Sequence, residues 1–293
     1  MLTGQPFSGK MPSVAGIGLR LHGLIGAALI AFAEISVVLD LRPFTTWVTP
    51  VAWTGYILLI DALVLRLRRG SLITDRPKEF VVMLPLSLAF WLVFEGFNHF
   101  IKNWQYINLP PSRLLTAIGM TWSFATIMPA ICETTDLLQT LRVFRTTRVR
   151  RRKMGSGFLV TLIVLGAVCL LAPLLSPPKY ARYMAVPVWG CFIFLLEPIN
   201  YRLKTQSVLR DWESGKLEKL LSLLLAGSIC GVLWEFWNFW AYTKWVYTVP
   251  IMGEIKIFEM PIIGWLGFPL LAVELYAMYN LSLIHISEPT RPY

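Results

Sequence analysis

Charged side chains are scarce in this chain. They make up 15% of its 293 residues, whereas a typical soluble domain carries about 25%. Hydrophobic residues reach 56%, and the mean hydropathy is +0.59. This balance excludes an ordinary soluble domain and indicates a chain that lies mostly in a bilayer, with membrane lipids as its first partners.

Residues that could form a metal or redox site are also scarce. There are three histidines and four cysteines, and the cysteines lie singly in apolar runs without a C-x-x-C pair. A zinc site or a disulfide framework needs other spacing. Phosphate-binding loops, dinucleotide fingerprints and Ser-His-Asp arrangements are lacking too, so we expect no metal and no cofactor.

The formal net charge of +10 does not indicate nucleic-acid binding, because the basic residues lie between hydrophobic runs and not on one soluble face. They are concentrated after the second, fourth and sixth runs. Basic loops stay in the cytoplasm, so we predict a multi-pass protein of the cell (inner) membrane with a cytoplasmic N-terminus. The basic run 142–153 is interpreted as a linker; contact with anionic lipid is the alternative.

Eight apolar runs have the length of a membrane-spanning helix. Open sheets would leave unpaired edges in lipid, so the sequence predicts an all-α, polytopic bundle. The expected spans are 20–39, 48–67, 80–101, 113–140, 157–175, 185–203, 218–241 and 257–280.

The two halves of the chain repeat an ordered series of polar and aromatic residues. The first series is Trp53, Asp61, Arg66, Ser71, Glu95, Asn98, Trp104, Tyr106, Pro129 and Glu133. The second is Trp189, Glu197, Arg202, Ser207, Glu235, Asn238, Trp245, Tyr247, Pro269 and Glu274. This predicts two four-helix repeats, 1–153 and 154–280, which share one orientation because each has an even number of spans. Residues 281–293 resemble a translated sequencing adapter, so we expect a non-native tail there.

An acid and an amide stand three residues apart near the end of spans three and seven, as Glu95 with Asn98 and Glu235 with Asn238. This spacing puts each pair on one helix face. An acid inside the membrane indicates function by default, and we take Glu95 and Glu235 as candidate catalytic acids. The alternative is that these side chains only clamp helices together.

Glu133 and Glu274 follow a proline in spans four and eight and are also candidate catalytic acids. The alternative is that they satisfy backbone groups freed by the proline. The substrate-binding candidates are the two amides and the aromatic residues near the acids: Asn98, Asn238, Trp104, Tyr106, Trp234, Trp237, Trp245 and Tyr247. We expect Asp61 and Glu197 to balance Arg66 and Arg202.

One order of motifs resembles the layout of membrane-integral lycopene cyclases and related carotenoid hydratases: Trp234-Glu235, then Trp245-x-Tyr247, then Pro261. In that family acids protonate a polyene. The resemblance carries over one acid, Glu235, and by duplication Glu95. Ile262-Ile263 stand where the cyclases have paired glutamates.

Two functions follow from these residues. One is the binding or modification of an apolar isoprenoid, carotenoid or lipid that enters from the bilayer, with the acids as proton donors or anchors and a cavity that reaches both. The other is proton-coupled secondary transport by the same acids. A structural membrane subunit is the third interpretation, and the oligomeric state stays open.

Overall fold

The computed structural model describes residues 19–287, with side chains as far as Leu283. Within these residues, seven helices are long and apolar enough to cross a bilayer. The chain is therefore a polytopic integral membrane protein by helix length and composition. In chain order the helices of the first half are α1 (Leu21–Val38), α2 (Val48–Arg68), α3 (Leu72–Asp75), α4 (Pro77–Ile101) and α5 (Arg113–Thr140).

The second half contains more short helices than the first. Its helices are α6 (Ser156–Leu175), α7 (Pro178–Ala181), α8 (Ala185–Val188), α9 (Cys191–Arg202), α10 (Val208–Glu213), α11 (Glu218–Trp240) and α12 (Gly267–Ser287). Short 3-10 turns cover Phe44–Thr46 and Ile262–Leu266.

The structure is mostly helical, as predicted, but the sequence missed four short strands: β1 (Trp104–Ile107), β2 (Lys244–Tyr247), β3 (Lys256–Ile257) and β4 (Met260–Pro261). β1 pairs with β2, and β3 pairs with β4, both antiparallel. The strands satisfy backbone groups of the connecting segments at a helix-bundle end, where water competes for them. We call the β1–β2 pair the ribbon, and the end of the bundle that carries it the ribbon end.

Two of the eight expected spans differ from the prediction. Residues 185–203 do not form one helix; they form α8 and the 12-residue α9, separated at Trp189 and Gly190. Pro187 lacks a backbone donor and Gly190 readily leaves helical geometry, which explains the break. The span expected at 257–280 begins as a helix only at Gly267, since residues 256–261 form the β3–β4 hairpin. The expected tail at 281–293 continues α12 to Ser287, and its remainder lies outside the described residues.

Helix packing follows the same order in each half. α1 packs on α2, α2 on α5 and α5 on α4; likewise α6 packs on α9, α9 on α12 and α12 on α11. α5 and α11 form the main helix contact between the halves. α1 and α6 are peripheral, because only 22% and 17% of their most apolar 18-residue stretches are buried. Their exposed apolar faces therefore suit contact with acyl chains.

The first two helices cross where two glycines meet. A Cβ added to Gly26 would lie 2.5 Å from the carbonyl oxygen of Gly55, and one added to Gly55 would lie 2.7 Å from that of Gly26. Only glycine permits this approach, which brings the two backbones into direct contact as small residues do in membrane helix pairs.

The end opposite the ribbon carries most of the basic loops, and we call it the basic end. It comprises the 141–155 connection, α3 and α10. An isolated bridge between Arg148 and Lys216, with Val149 N–H donating to the Gly215 carbonyl at 3.2 Å, ties the connection between the halves to the loop before α11.

Candidate functional site

Glu95 lies at the ribbon end of α4, half-buried, and one of its oxygens accepts three hydrogen bonds. The donors to Oε1 are Trp91 Nε1 at 2.9 Å, Trp104 Nε1 at 3.1 Å and the Tyr106 hydroxyl at 2.5 Å. Trp91 is one helical turn earlier, whereas Trp104 and Tyr106 reach Glu95 from alternate positions of β1, whose side chains share one face. An oxygen with three donors is an acceptor, so Glu95 is held in a fixed orientation.

Glu235 occupies the matching place on α11 but is fully buried, at 0% exposure. Its Oε1 accepts from the Tyr247 hydroxyl at 2.7 Å, and that hydroxyl accepts from Trp245 Nε1 at 2.8 Å. The indole therefore reaches the acid through the tyrosine, not directly as in the first half. Glu235 therefore contacts its strand mainly through Tyr247, whereas Glu95 contacts both Trp104 and Tyr106 directly.

The two strand tyrosines are kept protonated by the same surroundings. Burial, followed by the charge of Glu95, raises the pKa of Tyr106 well above its ordinary value of 10.0. Burial and Glu235 do the same for the pKa of Tyr247. Both hydroxyls therefore remain hydrogen-bond donors to their carboxylates at neutral pH.

The amides predicted beside the acids anchor the ribbon. Asn98 Nδ2 donates to the Trp104 carbonyl at 2.9 Å, and its Oδ1 accepts from the Trp104 amide at 3.2 Å. Asn238 makes the same two bonds to the backbone of Trp245, at 2.9 and 3.0 Å. Each amide thus pairs with both backbone groups of one strand residue, which explains why an asparagine follows each acid by three positions.

The ribbon joins the two acid sites in a crosswise register. Trp104 lies opposite Tyr247, and Tyr106 lies opposite Trp245. Every strand residue that touches Glu95 is therefore paired with a strand residue of the Glu235 network. The sequence named all four residues as substrate-binding candidates, but it gave no sign of strand pairing.

An aromatic layer lies directly beneath the ribbon. The ring centroids of Trp91 and Trp234 are 5.3 Å apart, which brings α4 and α11 into contact, and Trp234 lies 5.2 Å from Trp245. On the other side Trp237 makes an edge contact with Trp53 at 5.0 Å. The candidate binding residues Trp234 and Trp237 are thus packed against other rings and fill the space between the halves.

A groove opens beside this layer, and it encloses about 50 Å³. Its walls come from the start of α2, the start of α5 and the ribbon, and are mainly apolar: Trp47, Pro50, Tyr106, Leu115, Met120, Phe124 and Trp245 are among them. The groove reaches Tyr106 and Trp245 but neither Glu95 nor Glu235 lines it. The groove is therefore not the expected cavity that reaches both acids.

Glu274 has a local structural role. Its Oε1 accepts from the backbone amide of Phe192 at 3.1 Å, in the first turn of α9, where Gly190 supplies no side-chain cap. The carboxylate therefore caps the helix that resumes after the break at Trp189 and Gly190. The backbone break lies in a neighbouring helix, not at Pro269 as the spacing suggested.

Asp61 and Glu197 do not form the expected pairs with arginine. Asp61 bonds to the Ser71 hydroxyl at 2.9 Å and the Ile73 amide at 2.8 Å, and Glu197 bonds to Ser207 at 2.7 Å. No ion pair of Asp61 with Arg66 or of Glu197 with Arg202 is formed among the described residues. Glu133 is 1% exposed, and neither of its oxygens receives a hydrogen bond within the described residues.

One acid of the ribbon end escaped the sequence search. Glu34 lies on α1, and its Oε1 accepts from Trp237 Nε1 at 2.7 Å, so it links the first helix to the second half. α6 contains no acid at all, and a search for duplicated positions therefore passed over Glu34. An acid within an apolar run was the available signal.

Within residues 19–287 no group of three or more histidine, cysteine, aspartate or glutamate side chains has the geometry to hold a metal ion. Comparison of the chain with protein-family models, with curated proteins and with solved structures gave no match.

Proposed function

We propose that the protein binds an apolar isoprenoid or lipid at the ribbon end, with Glu95 as an anchor and Glu235 as the proton donor or second anchor. The groove beside the ribbon is the observation that carries this proposal. Its walls are mainly apolar, and Tyr106 and Trp245, which line it, belong to the hydrogen-bond networks of Glu95 and Glu235. A molecule in the groove is thus one side chain, Tyr106, away from Glu95 and two side chains, Trp245 and Tyr247, away from Glu235.

The difference between the two acids supports different roles. Three donors hold Oε1 of Glu95 as an acceptor, which suits the orientation of a polar head group. Glu235 is fully buried and accepts a hydrogen bond from the Tyr247 hydroxyl, whereas Glu95 is only half-buried. Glu235 is therefore the better acid for an apolar substrate, as the resemblance to carotenoid-modifying proteins implies.

Internal duplication is part of the same proposal. In our interpretation α8 and α9 form one broken span, which brings the count to eight and gives two repeats in one orientation. Two features support it. The packing order of the helices is the same in each half. In the ribbon, Trp104 lies opposite Tyr247, the counterpart of Tyr106, and Tyr106 lies opposite Trp245, the counterpart of Trp104. The ribbon end would then face the exterior and the basic end the cytoplasm.

Proton-coupled transport is the second candidate. It is favoured by buried carboxyls at two levels, because Glu133 lies toward the basic end of α5 while Glu235 lies at the ribbon end of α11. Transport would require the acids to exchange protons with both sides, whereas a ligand site requires only the ribbon end to open.

The test is binding of a polyene, lycopene, to the purified full chain in nanodiscs, followed by quenching of tryptophan fluorescence. Met120→Trp fills the groove and should abolish quenching. Gly96→Trp is the matched control, because a Cβ at Gly96 meets nothing within 4 Å. Equal quenching by both variants would contradict the proposal. Proton uptake driven by a solute gradient in vesicles, without polyene binding, would favour the transporter.

The acids are tested by Glu95→Gln and Glu235→Gln, which keep shape and most hydrogen bonds. If Glu235 donates a proton, its variant should bind the polyene and lose its conversion, while Glu95→Gln should weaken binding. If both variants fold and behave like the parent protein, the carboxyls only hold the helices together.

A further inference from the structure

The connection between α5 and α6 carries a dense positive charge that the chain itself does not neutralise. Residues 142–153 contain six arginines and one lysine, and no acid occurs between Asp136 and Glu197. All seven basic side chains are exposed. None of them forms an ion pair with another of the described residues. The surface of this connection is therefore open to an anionic partner.

Both ends of the connection are fixed at the membrane surface. α5 ends at Thr140 and α6 begins at Ser156, and both helices are long and apolar enough to cross a bilayer. The connection therefore starts and finishes at one face of the membrane, at the level of the lipid head groups. Leu141 and Val143, at its start, are exposed, and apolar side chains among basic ones are typical of segments that lie on a membrane.

The middle of the connection is held against the second half by the antiparallel bridge of Arg148 with Lys216. Next to it, Val149 N–H donates to the Gly215 carbonyl at 3.2 Å. Gly215 has a φ of +80°, and a Cβ there would lie 2.8 Å from the Val149 carbonyl oxygen, so only glycine permits this approach. Lys216 lies two residues before α11, another candidate span, which places the bridge at the same membrane surface.

The bridge sets two positive charges directly opposite each other. Opposed residues of an antiparallel pair have their Cβ atoms about 4.5–5.5 Å apart, and like charges in such positions repel. Both Arg148 and Lys216 are exposed. Arg151 is close as well, because its Cγ would lie 3.2 Å from a Cβ added to Gly215. Three cations are thus held together by the backbone.

The acids that precede and follow Lys216 do not neutralise this group. Glu213 accepts from the Tyr201 hydroxyl at 2.8 Å. Neither Asp211 nor Glu218 forms an ion pair with Lys216 among the residues that the structure describes. An anion between the opposed side chains would remove their repulsion, and the planar guanidinium of arginine matches the geometry of a phosphate group.

We propose that the bridge between Arg148 and Lys216 is the centre of a binding site for the phosphate head group of an anionic lipid. A lipid fits better than a free anion because the bridge lies at the membrane surface and has apolar neighbours. Trp212 on α10 is exposed, and tryptophan is enriched at the interface between membrane and water. The site is independent of the ligand site proposed at the ribbon end, since it lies at the opposite end of the bundle.

Native mass spectrometry of the full chain, released from micelles that contain phosphatidylglycerol or phosphatidylcholine, tests the proposal. The parent protein should retain severalfold more phosphatidylglycerol than phosphatidylcholine. Arg148→Gln combined with Lys216→Gln should lower the retention of phosphatidylglycerol severalfold. Arg66→Gln combined with Arg202→Gln is the matched control, because it removes the same charge from two exposed arginines outside the bridge. Equal retention of the two lipids by the parent protein, or of phosphatidylglycerol by the two double variants, would overturn the proposal.

Inorganic phosphate separates a lipid site from a site for the free anion. Excess phosphate added to the micelles should leave most of the phosphatidylglycerol bound, because the acyl chains also hold the lipid at the protein. Complete displacement of phosphatidylglycerol by phosphate would overturn the assignment to a lipid.

A glycine variant tests whether the bridge or only the total charge binds the lipid. Gly215→Ala keeps every basic side chain but forces the two segments of the bridge apart, so it should lower the retention of phosphatidylglycerol severalfold. Gly155→Ala is the control, because a Cβ at Gly155 meets nothing within 4 Å. Retention by Gly215→Ala at the level of the parent protein would show that the bridge is not the site. If Gly215→Ala does not fold, the double variants decide, because they change only exposed side chains.

Discussion

Trp104 lies opposite Tyr247 in the ribbon, so a residue that donates to Glu95 is the direct strand partner of the residue that donates to Glu235. The two acid sites therefore share one element of secondary structure. A change that displaces either strand should alter both acids.

Removal of the amide that holds β2 should destabilise the protein. Asn238→Ala leaves the buried backbone amide and carbonyl of Trp245 without their side-chain partner, at a cost of about 1–3 kcal/mol. Asn98 makes the same bonds but is only half-buried, so Asn98→Ala is the comparison and should cost less. Thermal unfolding in detergent measures both, and equal unfolding temperatures for Asn238→Ala and the parent protein would contradict the anchoring role.

The glycine crossing should not tolerate even one methyl group. In Gly26→Ala the new Cβ would lie 2.5 Å from the Gly55 carbonyl oxygen, which forces α1 from α2 and should destabilise by about 1–3 kcal/mol. Gly96→Ala is the control: its Cβ meets nothing, and alanine favours a helix by up to about 1 kcal/mol. In chemical unfolding in mixed micelles, the denaturant midpoint of Gly26→Ala should therefore be lower than that of the parent protein, and the midpoint of Gly96→Ala should be higher.

Glu274 should be replaceable by glutamine but not by alanine. Glutamine keeps an oxygen for the Phe192 amide, whereas alanine leaves that amide unpaired, which costs about 1–3 kcal/mol. The parent protein and Glu274→Gln should have similar unfolding temperatures, and Glu274→Ala should unfold at a lower temperature. If glutamine is as harmful as alanine, capping of α9 is not what Glu274 does.

High pH should weaken the ribbon end. The pKa values of Tyr106 and Tyr247 are raised in the folded protein above the ordinary 10.0. Their contribution to the free energy of unfolding is therefore complete below about pH 10 and is lost as the pH rises further. Stability should fall above pH 10, and Tyr247→Phe should make that fall less steep although it lowers stability at neutral pH. An unchanged steepness would show that Tyr247 ionises freely in the fold.

The basic loops predict the orientation in the membrane. A reporter inserted after Arg152 should be cytoplasmic and one inserted at Asn108 should be external, because basic connections stay inside. The structure places these positions at opposite ends of the bundle. The reverse pattern at both sites would overturn the orientation while leaving the fold as described.

The sequence predicted the long helices well because a bilayer demands runs of a set length. Its bounds for α2, α4 and α5 are within a few residues. It failed at 185–203, where Pro187 and Gly190 break an apolar run that hydropathy alone treats as continuous. It also missed the ribbon, because two four-residue strands from distant loops have too few positions to show an alternating pattern.

For the candidate site, the repeated spacing in the sequence picked out Glu95, Asn98, Trp104 and Tyr106, and hydrogen bonds connect these residues in the structure. It could not find Glu34, which has no counterpart in α6. The bond of Glu34 with Trp237 joins two helices far apart in the chain, and no local spacing encodes it.

The distance along the chain between β1 and β2 has a consequence for biogenesis. β1 leaves the ribosome long before its partner strand, by on the order of ten seconds at ordinary rates of synthesis. During that interval Trp104–Ile107 is an unpaired strand edge at the membrane surface. The first half of the chain therefore lacks the partner of β1 until β2 (Lys244–Tyr247) has been synthesised. During this time the exposed edge of β1 can pair with another nascent copy.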